Sequence, residues 1–335
     1  MIAGMARGAA PGNDPAVRAP TALRRSALPA VVPLLASLLL GSCSHAPPRF
    51  DPQARRTCLV LSIGGPRGVA HLGAIAAARQ AGLHIDCVVG NSMGSLVGAL
   101  YAAAPSQDTE ALFRRFSETY IEETKRDAVK NGALGAVVGS AIGAALGAAL
   151  GKGVGSKEAA AGAVLGASGG FALGAEQTAK LDRDRLVRVM NGIVGGARIE
   201  ALPIPYATSY QQRSDDGLSL VVARAGNLAD AVGKSIANPF IFSNLDVVKQ
   251  GQVDPGADRA SMTPVDEACR LFPDANLLAI NVTDTPAFYR ADMRCPLREV
   301  HVDPGPLDAE AVFKLQADFT RAVKAGFDAT SVALR

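Results

Sequence analysis

The sequence is poor in several features that mark common protein classes. The net charge of this 335-residue chain is only +3, which excludes the concentrated basic face of a nucleic-acid-binding protein. Its four histidines are scattered and its five cysteines form no Cys-x-x-Cys pair, so the usual spacings of zinc ligands are absent. We therefore expect no nucleic-acid partner, no bound metal and no metal-dependent chemistry.

Glycine is the residue that the chain has in excess, with 35 copies. Thirteen of them lie between Gly132 and Gly174, whereas elsewhere glycine stays close to its average frequency of roughly 7 %. The remaining composition is that of a globular domain, because 48 % apolar and 19 % charged residues can bury a core. One unusual segment therefore interrupts an otherwise ordinary sequence.

The first 42 residues predict an export signal rather than part of a fold. Arg24 and Arg25 precede an uncharged run over 26–42 that contains a cluster of leucines, as is typical of a secretory signal peptide. The run is too short, and too interrupted by proline, to predict a membrane span. Beyond residue 42 the chain has equal numbers of basic and acidic residues, so the positive charge belongs to the signal.

The signal ends in Leu40-Gly41-Ser42-Cys43, which resembles the lipobox of bacterial lipoproteins. In that motif the cysteine thiol is lipidated and becomes the new N-terminus. The resemblance implies an exported protein that Cys43 anchors in the bacterial cell envelope, on the periplasmic side of the outer membrane, with 43–56 as a tether. The alternative is a cysteine that follows a leucine-rich stretch by chance.

The other four cysteines are Cys58, Cys87, Cys269 and Cys295. In an oxidising compartment they suffice for two disulfides. Cys58 and Cys87 each begin an apolar, strand-like run, and an unpaired cysteine behaves as a small buried hydrophobe. The sequence favours small buried residues over disulfides.

The residues that suggest chemistry lie near the start of the domain. Two strand-like runs, over 58–63 and 85–89, are each followed by a glycine-containing turn and an Ala/Leu-rich helical pattern. This alternation predicts parallel strands joined by right-handed crossovers. The second turn reads Gly90-Asn91-Ser92-Met93-Gly94, which is the Gly-x-Ser-x-Gly pattern of a nucleophile elbow.

In such an elbow the small residues, here Gly90 and Gly94, let the strand and the helix approach each other. The Ser92 hydroxyl then projects at the N-terminus of the helix, where N–H groups stabilise negative charge. The bare pattern also arises by chance in glycine-rich chains, and the alternative is an ordinary strand–helix turn. Its position after an apolar β-branched strand favours a nucleophilic serine.

The first turn, Gly64-Gly65-Pro66-Arg67-Gly68, is rich in glycine. No Gly-Lys-Ser/Thr follows it and the G-x-G-x-x-G pattern does not fit, so nucleotide binding is not indicated. Backbone N–H groups at the mouth of a helix, one strand–helix unit before a nucleophilic serine, suit an oxyanion hole.

Over 61–104 these motifs together resemble the opening of the patatin-like phospholipases. The resemblance resumes in five later segments, which are Leu202–Ser209, Asp230–Phe240, Gln252–Ala257, Pro264–Ala268 and Ala275–Thr283. In all it covers about 60–120 and 178–285. It implies an α/β fold over 57–330, a three-layer core with a central, mostly parallel sheet. The implied activity is hydrolysis of phospholipids or other acyl lipids at a membrane, without cofactor.

The resemblance also assigns roles residue by residue. Ser92 would be the nucleophile and Asp254 the base that takes its proton, with no histidine involved. Backbone N–H groups of Gly64, Gly65 and Arg67 would bind the oxyanion. A carboxylate can act as this base where burial raises its pKa and the hydroxyl lies within hydrogen-bond reach.

Three residues depart from the family pattern at the site. Ile63 stands where the family has its first loop glycine, Pro66 has no N–H to donate, and Pro255 follows Asp254 where the family has glycine. These departures support an alternative function, in which a non-catalytic envelope lipoprotein uses a degenerate core to present a membrane- or partner-binding hairpin.

Other residues compete for the role of base. Asp303 repeats the Asp-Pro-Gly triplet, but it lacks the helix pattern that follows Asp254. The order Ser92, Asp254, His301 matches an α/β-hydrolase, although the elbow of that fold normally follows several strands. His71 and His84 are expected to be structural, and the Arg67 side chain either contacts a lipid phosphate or packs against the helix. We favour Asp254.

The glycine-rich segment over 131–176 is predicted to be an insertion into this domain. Glycine recurs every four residues from Gly135 to Gly155 and again from Gly162 to Gly174, which places small residues along one stripe of each helix. The pattern resembles the glycine-zipper hairpins of bacterial envelope proteins. We expect a hairpin that grips the membrane beside the site and whose stripes permit self-association. The alternative is a flexible Gly/Ala loop or a soluble helical pair.

Overall fold

The computed structural model describes residues 50–51, 55–130, 181–238, 241–243, 250–307 and 312–335. The signal peptide over 1–42, Cys43, most of the tether over 43–56 and the glycine-zipper insertion over 131–176 lie outside the described residues. Among the helices that the structure describes, none has the length and apolar character needed to cross a bilayer.

Nine strands occur in the described residues. They are β1 (Thr57–Leu61), β2 (Cys87–Gly90), β3 (Leu181–Asp182), β4 (Tyr206–Ser214), β5 (Gly217–Ala223), β6 (Phe242–Ser243), β7 (Gln252–Val253), β8 (Asn276–Asn281) and β9 (Leu297–His301). The central sheet has the order β5-β4-β2-β1-β8-β9, with β7 beside β4, while β3 and β6 pair separately. Across the sheet, β4, β2, β1, β8 and β9 are each parallel to their neighbours in this order. Strands β5 and β7 run antiparallel to β4.

Eight α-helices accompany these strands in the same residues. They are α1 (Ala70–Gln80), α2 (Met93–Ala103), α3 (Thr109–Lys130), α4 (Arg183–Ile193), α5 (Leu228–Ser235), α6 (Arg259–Met262), α7 (Val265–Leu271) and α8 (Ala317–Ala333). Short 3-10 helices occupy Gly65–Val69, Ile199–Ala201 and Pro255–Ala257. The first of them runs directly into α1.

The sheet is covered on both faces, as the alternation of β1 shows. Leu59 and Leu61 lie in a large apolar cluster with residues of α1 to α5 and α8. Cys58 and Val60 point to the other face, where they join a smaller cluster with residues of α7. Successive strand residues face opposite sides of a sheet, so β1 is buried in two cores. The predicted three-layer α/β fold with a mostly parallel central sheet is confirmed.

Helices α1 and α8 pack so closely that their backbones touch. A Cβ atom on Gly73 of α1 would overlap the carbonyl oxygen of Val323, and one on Gly326 of α8 would overlap that of Ala70. Only glycine permits this approach from both sides. Helix α1 continues the 3-10 turn that begins at Gly65, so α8 helps to fix the position of this turn.

The cysteines correct a prediction made from the sequence. Cys58 and Cys87 face each other in the register of β1 and β2, and a disulfide joins them. A second disulfide joins Cys269 at α7 to Cys295, just before β9. Burial of the first pair was predicted correctly, but the preference for unpaired thiols was wrong. The partners are 29 and 26 residues apart in the sequence. The register of β1 and β2 brings the first pair together, and the folding of the loop before β9 brings the second pair together.

Candidate active site

The Gly-x-Ser-x-Gly turn connects β2 to α2 through a strained serine. Ser92 has φ +51° and ψ −122°, a backbone conformation that L-residues avoid and that functional sites retain. A Cβ atom on Gly90 would overlap the Gly94 carbonyl, and one on Gly94 would overlap the carbonyl of Leu61. The two glycines therefore let strand and helix meet at a sharp turn, with the Ser92 side chain at the start of α2.

Asp254 lies beside this serine although 162 residues separate them in the sequence. It follows β7 and caps the 3-10 helix Pro255–Ala257, where its Oδ1 accepts the Gly256 N–H at 2.7 Å. The Ser92 hydroxyl is close enough to the same carboxyl group to affect its pKa. Burial raises the pKa of Asp254 to about 6, while the Gly256 N–H and the Ser92 hydroxyl favour the charged form. At neutral pH the carboxylate is therefore ready to accept a proton.

Two of the three departures from the family pattern lie beside this carboxyl group. Pro255 is the first residue of the 3-10 helix, a position that needs no N–H. The buried Ile63 side chain packs beside Gly256, where its Cδ1 and the Asp254 Oδ1 both lie within 3 Å of the place a Cβ would occupy. Ile63 thus helps to keep water from Asp254, and this desolvation is the cause of the raised pKa.

The glycine turn before α1 lies against the elbow. A Cβ atom on Gly68 would overlap the Met93 side chain. The Arg67 N–H donates to the Gly64 carbonyl at 3.0 Å and is engaged within the turn, whereas no acceptor for the Gly64 and Gly65 amides occurs among the described residues. The first amides of α2, beginning at Met93, have no intrahelical partner and are the helix N-terminal donors expected from the elbow pattern.

The Arg67 side chain holds the turn to the loops that follow β8 and β9. Its guanidinium lies 2.5 Å from the Asp284 carboxylate and 3.3 Å from that of Asp303. Asp303, which competed with Asp254 for the role of base because of its Asp-Pro-Gly triplet, therefore contacts Arg67 and not Ser92. The packing role of Arg67 is the one that this geometry supports.

No histidine in the described residues reaches the serine. His301 ends β9, which is separated from β2 by β1 and β8 and hence by about 14 Å. His71 is fully buried and its Nε2 lies 3.0 Å from the Ser62 carbonyl. Burial lowers the pKa of His71 to about 4, so the ring is neutral. The same residues contain no group of His, Cys, Asp and Glu side chains arranged to hold a metal.

A buried polar network next to the serine was not found from the sequence. The Asn91 side chain donates to the Ser261 carbonyl at 2.7 Å and accepts from the N–H and hydroxyl of Ser209 at 3.0 and 2.8 Å. Asn91, Ser209 and Ser261 are each at most 1 % exposed. The one available signal was an asparagine at the end of an apolar strand. The network joins the turn before Ser92 to the segment after Asp254.

Comparison with known proteins agrees with this geometry. A family model described as patatin-like phospholipase matches residues 59–269. Over 58 residues, 16 % of this chain and 4 % of the relative, the sequence is 52 % identical to Lysophospholipase NTE1 of Coccidioides immitis. Over 47 residues, 14 % of this chain and 4 % of the relative, it is 53 % identical to Patatin-like phospholipase domain-containing protein ZK370.4 of Caenorhabditis elegans.

The matched stretch thus spans only a small part of these curated relatives. Among solved structures, VipD from Legionella pneumophila aligns with a TM-score of 0.41 and 14 % identity, over 84 % of this chain and 67 % of VipD. The family model covers well over half of the chain and includes both Ser92 and Asp254. The chain therefore belongs to the patatin-like phospholipase family.

Proposed function

We propose that the protein is a lipid acyl hydrolase that cleaves carboxylic ester bonds of phospholipids or related acyl lipids with a Ser92–Asp254 dyad. The observation that carries the proposal is the proximity of the hydroxyl of a strained Ser92 to the buried Asp254 carboxyl, whose pKa burial raises to about 6. Membership of the family supports the substrate class.

The reaction follows from the positions of these groups. As the Ser92 Oγ attacks the ester carbonyl carbon, Asp254 takes the hydroxyl proton. The amides of Gly64 and Gly65 and the N-terminus of α2 stabilise the oxyanion of the tetrahedral intermediate. When this intermediate collapses, Asp254 returns the proton to the departing alcohol, here the lysolipid. Water then attacks the acyl-enzyme, again with Asp254 as base, and releases the fatty acid.

Two assays on the purified protein test this proposal directly. We expect it to release fatty acid from phospholipid vesicles and to be labelled covalently by a fluorophosphonate probe at Ser92. The competing function is a non-catalytic envelope lipoprotein with a degenerate core, for which Ile63, Pro66 and Pro255 argue. If the wild type neither releases fatty acid nor reacts with the probe, the hydrolase proposal is wrong and the competing function is favoured.

We further propose that the loop after β8 contacts the lipid surface. Phe288 and Tyr289 are adjacent and about half exposed, at 53 % and 45 %. Both belong to the loop after β8, four and five residues beyond Asp284, which binds Arg67 of the glycine turn. Tyrosine favours the membrane interface because its ring is apolar and its hydroxyl is polar, and an exposed phenylalanine adds apolar surface that lipid can cover.

Replacing both aromatic residues tests this contact. For Phe288→Ala/Tyr289→Ala we expect vesicle binding and phospholipid hydrolysis to fall by about fivefold or more, since two apolar contacts with lipid are lost. Hydrolysis of a soluble short-chain ester should be unchanged. Leu218→Ala, at an equally exposed residue of the β4–β5 hairpin, is the matched control. Equal vesicle binding by both variants would contradict the proposed contact.

The location of the protein is proposed on separate grounds. We propose that Cys43 is lipidated and that the chain is exported to the periplasmic face of the bacterial outer membrane. Two disulfides within the domain support an oxidising compartment. We propose also that the glycine-zipper insertion over 131–176 grips the membrane and permits self-association, because its glycines recur every four residues.

Fractionation of cells separates the contributions of these two anchors. Cys43→Ala should remove the lipid and leave the protein partly in the membrane fraction, held by the insertion. Deleting 131–176 in the Cys43→Ala background should then move most of it to the soluble fraction. Retention that is unchanged by this deletion would contradict the proposed role of the insertion, and full release by Cys43→Ala alone would do the same.

A further inference from the structure

The end of α5 contacts the backbone of both members of the dyad. The Ser235 hydroxyl accepts the Ser92 N–H at 2.9 Å. Two residues later, the Ala237 carbonyl accepts the Asp254 N–H at 3.2 Å. Ser235 and Ala237 are both fully buried. One short segment therefore reaches the serine on one side and the aspartate on the other.

The hydrogen bond between Ser92 and Ser235 satisfies the backbone N–H of Ser92. Ser92 precedes α2 and has a positive φ, so its N–H belongs to neither the strand pairing nor the helix. A backbone N–H that is removed from water without an acceptor destabilises the folded state. The Ser235 hydroxyl, 143 positions away in the sequence, accepts this N–H. The position of that hydroxyl therefore fixes the orientation of the peptide group that carries the Ser92 N–H.

Helix α5 is itself held firmly. The buried Arg183 of α4 donates from its Nε to the Gly233 carbonyl at 3.0 Å, and a Cβ atom on Gly233 would overlap the Val187 side chain. At the other end, the Asn227 side chain caps the helix by accepting the Asp230 N–H at 2.9 Å. These contacts hold both ends of α5, and Ser235 at its C-terminal end, in place.

We propose that Ser235 is a positioning residue for ester hydrolysis, which holds the strained Ser92 backbone so that the Ser92 hydroxyl stays aligned with Asp254. The inference rests on the proposed function and adds a residue that touches neither substrate nor the reacting atoms. Misplacement of a reacting group by about 1 Å can cost a hundredfold in rate. Ser235 therefore acts on the rate of the chemical step and not on substrate binding.

Ser235→Ala and Ser235→Thr test the proposal, with Ser117→Ala as the control. Ser117 is equally buried on α3, and its hydroxyl has no partner in the described part of the chain. The hydrolysis rate of each variant is measured with a soluble short-chain ester and divided by the concentration of active sites, which titration with a fluorophosphonate gives. The melting temperature of each variant is also measured. For Ser235→Ala we expect kcat to fall by about 10- to 100-fold, with KM within about twofold of wild type. Ser117→Ala should keep the wild-type kcat.

The threonine variant and amide exchange separate positioning from general stability. Ser235→Thr retains the hydroxyl and should recover most of the lost kcat if it folds. Independently of activity, the Ser92 amide should exchange hydrogen faster in Ser235→Ala than in Ser117→Ala. An unchanged kcat in Ser235→Ala, an effect on KM alone, or unchanged exchange at Ser92 would overturn the role of Ser235. A wild type that reacts with no ester or probe would instead overturn the proposed function, and the role of Ser235 with it.

Discussion

Replacement of Ser92 by alanine is expected to lower kcat for ester hydrolysis by about four orders of magnitude or more, and to abolish fluorophosphonate labelling. Loss of a serine nucleophile has effects of this size because covalent catalysis stops entirely. Alanine keeps the Cβ atom at the strained position, so the backbone of the turn is not relieved or strained further. Fatty-acid release from vesicles and labelling of the purified variant measure the effect.

Ser117→Ala serves as control here too, because it removes a buried serine hydroxyl on α3, outside the turn. Both variants should melt within a few degrees of the wild type. Substantial hydrolysis by Ser92→Ala would show that another residue is the nucleophile and would refute the dyad.

Replacement of Asp254 by asparagine is expected to lower kcat/KM by about 10²- to 10⁴-fold, the usual contribution of a general base. The wild-type kcat/KM should rise with pH through about 6 and then level off, because only the deprotonated carboxylate accepts the Ser92 proton and burial raises the pKa of Asp254 to about 6. The variant should lose this acid limb. A pH profile with a soluble ester, from pH 4.5 to 8.5, gives the result.

Asp303→Asn is the matched control for this prediction. Asp303 begins a second copy of the Asp-Pro-Gly triplet, but its carboxylate contacts Arg67. Its acid limb should still have a midpoint near pH 6. An acid limb that persists in Asp254→Asn, or disappears in Asp303→Asn, would assign the base to a different residue.

The same pKa has a consequence for folding. The pKa of Asp254 is higher in the folded protein than its ordinary value of 3.8, so the folded state holds this proton more tightly than the unfolded state does. The wild type therefore loses stability as pH rises from about 4 through about 6. Asparagine does not ionise. The melting temperature of Asp254→Asn relative to wild type should increase between pH 4 and pH 7.

The parts of the site that depend on local sequence were predictable. The turn around Ser92 needs small residues two positions to either side, and a strand and a helix at its ends, all of which lie within about 15 residues. Asp254 was assigned by resemblance to a family, and the structure brings its carboxyl group to the Ser92 hydroxyl. The parallel strands were predictable for the same reason, since strands and helices alternate along the chain, whereas the three-layer core was implied by the resemblance to the family.

Contacts between distant segments were not predictable. The hydrogen bonds from Ser92 to Ser235 and from Asn91 to Ser261 join residues 143 and 170 positions apart, and serine is too common a residue to stand out. The pairing of Cys58 with Cys87 depends on the register of two strands. The amide of Arg67 was predicted to bind the oxyanion, but the 3-10 turn engages it with Gly64, a geometry that composition does not reveal.

The close contact between α1 and α8 also bears on when the site is assembled during synthesis. Ser92, Asp254 and the glycine turn all precede α8 in the chain, yet α1, which continues that turn, is packed backbone to backbone against Gly326. A ribosome makes α8 after every other described element. The nascent chain therefore carries Ser92 and Asp254 before it has the helix that packs against α1. We expect the glycine turn to reach its final position only once α8 has been synthesised.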